Sequence, residues 1–191
     1  YEDSLDLLRR LGADLVPFSP LSDRELPEGV QGLYLGGGYP ELYAAQLEKN
    51  SALRAQIRQA LNDGMPCIAE CGGFMYLTQS IAGYAMAGAL SGGCFDTGKL
   101  TRFGYITATA QKDSLLCRAG ERIPMHEFHH WDAECPGGDF LAEKPSGKQW
   151  SCIHATDTLY AGYPHFHFYA RPDMAGRFLA ACRKEQLCWN R

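Results

Sequence analysis

The segment that most constrains the fold is Pro66-Cys67-Ile68-Ala69-Glu70-Cys71-Gly72-Gly73, which passes from a short apolar run through two glycines into Phe74-Met75-Tyr76-Leu77. A short apolar run bounded by turn signals reads as a parallel strand buried on both faces, and the residues after the glycines resume a helical pattern. A strand that turns sharply into a helix presents one side chain at the corner, while small neighbours keep the turn free of clashes. Here that side chain is the Cys71 thiol. The partial positive charge and free amides at a helix start favour a thiolate, hence a sulfur nucleophile near neutral pH. The same turn aims the Gly72 amide at a developing oxyanion, and Gly36-Gly37-Gly38 is a second turn whose backbone can approach a reacting carbonyl.

Each piece taken alone is weak. A lone cysteine is more often a small buried hydrophobe. A triple glycine is an ordinary strand-to-helix turn, and without a following Lys-Ser/Thr it is no phosphate loop. Strand, thiol and glycines in that order are what favour catalysis.

Around this segment the pattern alternates. Residues 3 to 11 read as a helix stopped by Gly12, followed by a short strand at Asp14–Phe18 and a second apolar run at Gly32–Leu35. Helical segments follow at Pro40–Lys49 and Ser51–Asp63, the second with Ser51 as its expected cap. Alternating strands and helices predict right-handed β-α-β units and a parallel sheet covered on both faces. The second half differs: Phe103–Thr109, Trp150–His154 and Leu159–Tyr163 read as strands of an antiparallel addition. A last helix over Pro172–Gln186 carries Met174, Phe178, Leu179 and Cys182 on one stripe.

The chain has 191 residues and a formal net charge of −4. No basic cluster is available to track a phosphate backbone, so nucleic acid is not an expected partner. No uninterrupted apolar stretch is long enough for a membrane span, so a soluble, cytoplasmic protein is expected. Eight cysteines include no C-x-x-C pair, which disfavours zinc ribbons, and most of them, including Cys182 and Cys188, sit in apolar or helical surroundings.

A cysteine nucleophile needs a base within hydrogen-bond reach. The six histidines fall mainly in two clusters: Gly162-Tyr163-Pro164-His165-Phe166-His167-Phe168, between a strand and the last helix, and Met125-His126-Glu127-Phe128-His129-His130-Trp131, read as irregular. His165 and His167, two apart on an extended segment, could share an ion, but no carboxylate or cysteine stands at matching spacing, and no metal is expected.

These residues resemble a known family, the class I (triad) glutamine amidotransferases, and within it the glutaminase domain of the cobyrinic acid a,c-diamide synthase family. The carriers are Asp3-Ser4-Leu5-Asp6-Leu7-Leu8 with Val16-Pro17-Phe18-Ser19-Pro20, Leu35-Gly36-Gly37-Gly38-Tyr39-Pro40-Glu41, Ala69-Glu70-Cys71-Gly72-Gly73, His126-Glu127-Phe128-His129 and Tyr163-Pro164-His165-Phe166-His167-Phe168. The resemblance implies a flavodoxin-like three-layer α/β fold, mostly parallel, with helices on both faces. It implies that Cys71 attacks the glutamine side-chain amide, that Gly37, Gly38 and Gly72 hold the oxyanion, and that His165 activates the thiol and then protonates departing ammonia. In most of the class a Glu two places after the catalytic His orients it. Here that place is His167, as in the corrinoid-synthase branch, and orienting or packing are both open to it. Glu70 and His129 are further near-site candidates.

The resemblance also implies that residues 1–191 are the C-terminal glutaminase domain of a longer synthase. By the same likeness, that synthase's ATP-binding domain and the usual first strand of the glutaminase domain are expected to lie outside residues 1–191. No cofactor is implied for this domain; ATP and Mg belong to the N-terminal domain, through which the corrinoid substrate is reached. A homodimer is one expected oligomeric state. Cobyric acid synthase and nickel-sirohydrochlorin diamide synthase glutaminases, a non-catalytic domain of the same fold, and a Cys hydrolase with the same elbow are the alternatives.

Overall fold

The computed structural model describes residues 1–189, with side chains as far as Lys184. Leu187 and Cys188 therefore lie outside the described side chains. At the centre, Leu33–Leu35, Cys67–Glu70 and Leu159–Gly162 run parallel in adjacent positions, and His154–Ala155 adds an antiparallel edge. Alternation divides these strands between two cores. Ile68 and Tyr160 pack with Leu8, Met174 and Phe178 on one face. Leu33, Leu35, Cys67, Ala69 and Ala161 pack with Leu47, Leu53, Ile57 and Phe74 on the other. Both faces are covered by helices, Glu2–Arg10 and Pro172–Trp189 on the first side, Ala44–Lys49, Ser51–Asn62 and Gly72–Leu77 on the second. This is why the run over residues 66–69 shows no polar alternation.

The antiparallel addition is larger than this parallel core, so "mostly parallel" holds of the central sheet and not of the strands as a whole. A five-stranded antiparallel sheet takes the order Gln149–Cys152, Phe140–Glu143, Arg102–Ala110, Arg122–His129, His165–Phe166. A small mixed sheet joins Tyr84–Ala85, Ser80–Ile81, Gly93–Asp96 and Trp131–Ala133.

Three local expectations are corrected. The segment over residues 126–131 is not irregular, since Arg122–His129 pairs along its length with Arg102–Ala110; its histidines masked the alternation of a half-buried strand. Asp14–Phe18 forms no strand: it makes no ladder with the edge strand Leu33–Leu35, with which it shares a groove, and Pro17 has no N–H to offer one. The residue at the cap position of the helix Ser51–Asn62 is Asn50, whose side chain instead donates to the carbonyls of Pro20 and Asp23 at 2.9 and 2.6 Å. A groove of about 980 Å³ follows the outer edge of Leu33–Leu35 and reaches the Gly36–Gly38 turn. Among the described residues, no helix is long and apolar enough to cross a membrane.

Candidate active site

Three loops leave the carboxyl ends of the three adjacent parallel strands, the position at which open α/β sheets place their ligands. They carry Gly36–Gly38, Cys71–Gly73 and Tyr163–His165. Cys71 sits at the corner with φ 50° and ψ −105°, a left-handed conformation that a residue with a side chain rarely adopts and that costs of order 1–3 kcal/mol. The surroundings enforce it. The Cys71 amide donates to the Gly162 carbonyl at 2.8 Å, the Gly73 amide to the Gly36 carbonyl at 3.0 Å, and the Met75 amide to the Cys71 carbonyl at 2.9 Å.

The glycines are required by close approach. A Cβ on Gly73 would overlap the Leu35 backbone, and one on Gly72 would stand 2.6–2.9 Å from the Gly38 backbone. One on Gly37 would stand 2.8 Å from Cε1 of His165. Gly37, Gly38 and Gly72 thus line one small space with the thiol and the imidazole. Among the described residues, no backbone carbonyl accepts from the amides of these three glycines, so they remain available to an oxyanion. Burial pushes the thiols of Cys67, Cys94, Cys117 and Cys152 upward, the behaviour of inert core sulfur. Cys71 differs from them in being partly exposed.

His165 is brought to Cys71. Burial alone would lower its imidazole, but the neighbouring Cys71 and Glu70 outweigh this and raise it to about 9. Its Nδ1 lies 3.8 Å from Oε2 of Glu70. Glu70, 2% exposed, also accepts from the Phe166 amide at 3.1 Å and from the Tyr34 hydroxyl at 3.2 Å. The His126 ring stacks on His165 at 5.0 Å and 19°. Burial, then the neighbouring His165, lowers the His126 imidazole, and the Tyr1 hydroxyl reaches its Nε2 at 3.1 Å.

Two sequence candidates are placed elsewhere. His167 points away from the sulfur: its Nε2 lies 3.1 Å from Asp3, and its Nδ1 accepts from the Tyr169 amide at 3.3 Å. His129 is on the buried face of its strand, opposite to His126. There its Nδ1 donates to the Trp131 carbonyl at 2.6 Å and its ring stacks on Tyr163 at 3.9 Å and 6°. It supports Tyr163 from behind the site and does not enter it. Tyr34 is the residue that sequence reasoning missed. It lies inside the run Leu33–Leu35, which reads as plain core, and no local pattern announces that its hydroxyl ends on Glu70.

The model of the CobB/CobQ-like glutamine amidotransferase domain matches residues 1–173. The chain is 39% identical over 190 residues to a cobyrinate a,c-diamide synthase of Caldanaerobacter subterraneus subsp. tengcongensis, covering 95% of this chain and 42% of that protein. It is 42% identical over 192 residues to a cobyrinate a,c-diamide synthase of Synechococcus sp., covering 96% and 42%. The chain thus spans about two fifths of the length of the curated relatives it matches. Among solved structures, a putative GMP synthase subunit from Thermoplasma acidophilum superposes with a TM-score of 0.62 at 17% identity, over 97% of this chain and 89% of that one. At that identity the likeness shows the fold alone.

Proposed function

Since the chain belongs to the CobB/CobQ-like glutamine amidotransferase domain family, we propose that it hydrolyses glutamine and supplies the ammonia for ATP-dependent amidation of the a and c acetate carboxylates of cobyrinic or hydrogenobyrinic acid. The observation that carries the reading is the strained Cys71 corner with the His165 imidazole held against the neighbouring Gly37 turn.

The Cys71 sulfur attacks the side-chain carbonyl carbon of glutamine, forming a C–S bond and moving the carbonyl π electrons onto oxygen. The amides of Gly38 and Gly72, with Gly37 beside them, receive that oxyanion. As the tetrahedral species collapses, the C–N bond breaks and the leaving nitrogen takes a proton from the His165 imidazolium, departing as ammonia. Water then attacks the glutamyl thioester. His165 takes the water's proton, the C–S bond breaks, and glutamate leaves.

The relatives are named cobyrinate a,c-diamide synthases, which supports the amidation part of this proposal. In it residues 1–191 are the glutaminase part of a longer synthase. ATP and Mg act in a separate part that activates the carboxylates, and the reaction runs in the cytoplasm.

The test is covalent labelling of Cys71 by an electrophile that mimics glutamine, followed by glutamine turnover. Stoichiometric labelling that is blocked by glutamine and lost in Cys71→Ala is expected. A chain that ignores the mimic but cleaves peptides or esters would refute the reading. In the full synthase, Cys71→Ala should abolish glutamine-dependent amidation and leave ammonia-dependent amidation intact.

A further inference from the structure

We infer that Glu70, the residue immediately before the nucleophile, is the positioning residue that orients His165 in this chain, an inference that rests on the glutaminase reading. The buried carboxylate joins the two halves of the site. It sits at the end of the strand Cys67–Glu70, in register with Gly162 of the neighbouring strand. The chain beyond Gly162 then folds back so that the Phe166 amide donates to Oε1 at 3.1 Å. Its other oxygen is held by the Tyr34 hydroxyl at 3.2 Å and faces Nδ1 of His165 at 3.8 Å. The elbow and the strand carrying the imidazole are therefore pinned to one side chain, which two neutral donors fix in place.

The last distance is longer than a formed hydrogen bond. Catalytic contacts of this kind often tighten only when substrate is bound, and here the ring gains positive charge as the sulfur attacks. A carboxylate at Nδ1 keeps the proton on that nitrogen, leaves Nε2 for the sulfur, and stabilises the imidazolium. The other groups around the ring cannot serve. His126 offers a stacked face with a lowered imidazole, and Tyr1 reaches only His126. Both ring nitrogens of His167 are engaged by Asp3 and the Tyr169 amide. Among the described residues, Glu70 is the carboxylate paired with His165.

The experiment compares wild type, Glu70→Gln, Glu70→Asp and His167→Ala in glutamine hydrolysis, and follows the His165 ring proton by NMR as pH is raised. Glu70→Gln keeps the shape and the Phe166 contact but removes the charge. It should lower kcat by about 10²–10⁴-fold, with KM changed less than about twofold, because the missing interaction is made to the transition state. His165 should then titrate well below the wild-type value of about 9. Glu70→Asp should restore part of both. If Glu70→Gln does not fold, Glu70→Asp decides alone, since withdrawing the charge by one methylene should give an intermediate kcat and an intermediate titration. Wild-type kcat and titration in either Glu70 variant, or the large kcat loss appearing in His167→Ala instead, overturns the inference. If wild type itself does not turn over glutamine, the function reading fails, while the titrations still decide the Glu70–His165 coupling.

Discussion

Substituting Gly37 tests how tightly the oxyanion turn and the imidazole are fitted together. In Gly37→Ala the new methyl would stand 2.8 Å from Cε1 of His165. Carbon atoms settle at about 3.5–4.0 Å, so the ring or the turn must retreat by about 0.7–1.2 Å. A misplacement of about 1 Å at reacting groups can cost about 10²-fold in rate, or about 2.7 kcal/mol of transition-state stabilisation. Gly37 has no left-handed backbone to strain, so the effect is steric and directed at His165. Its neighbour Gly36 is a built-in control: a Cβ there meets nothing within 4 Å. Glutamine hydrolysis should therefore fall about 100-fold in Gly37→Ala and stay within about threefold in Gly36→Ala. Melting temperatures should lie close together, because the ring can tilt outward into the open site. Labelling of Cys71 by the glutamine mimic separates loss of the imidazole from loss of the substrate pocket. A fully active Gly37→Ala, or equal losses in Gly37→Ala and Gly36→Ala, would refute the reasoning.

Other outcomes follow from the same coordinates. Glutamine hydrolysis should decline as pH rises through about 9, where His165 loses the proton that departing ammonia needs; a kcat profile flat to high alkaline pH would contradict this. The sign for stability agrees. His165 titrates higher folded than unfolded, so its contribution is complete below about 6.5 and disappears as pH rises through about 9. Phe74→Ala empties a fully buried site packed 5.1 Å from the Tyr163 ring, and should cost about 3–5 kcal/mol in urea unfolding. The Arg177 hydrogen bond, with Arg118 and Arg171, holds the Glu121 carboxyl down at about 2. Its contribution is thus present above the ordinary carboxylate range and lost as pH falls through about 2. Glu121→Gln should cost about 1 kcal/mol at neutral pH, after discounting for exposure, and progressively less in acid. A loss independent of pH would show the network to be packing alone.

The elbow was legible because its requirements are local. A strand buried on both faces is apolar along its core, here Cys67 to Ala69, and a corner pressed against the next loop must be glycine on its inner side. Both constraints appear in consecutive residues from Cys67 to Gly73. The terminal helix was legible for a similar reason, since Met174 and Phe178 repeat at the helical period. Asp14–Phe18 was misread because strand propensity says nothing about whether a ladder forms with a neighbouring strand. The segment over residues 126–131 was misread because alternation in a half-buried strand is obscured when its outward residues are aromatic or imidazole.

The histidines show the limit most clearly. His165 and His167 are equivalent in spacing and type, yet one turns to the sulfur and the other to Asp3. That choice depends on where the chain bends after Gly162, and the bend is held by Glu70, 96 residues from the Phe166 amide it accepts. Sequence alone pointed to the candidate nucleophile, its corner and the glycines around it, because these are dictated by neighbours along the chain. The tertiary fold decided which imidazole stands beside the thiol, which carboxylate faces it and that Tyr34 secures that carboxylate, because hydrogen bonds between distant segments depend on how sheets stack and leave no periodic trace in the residues that make them.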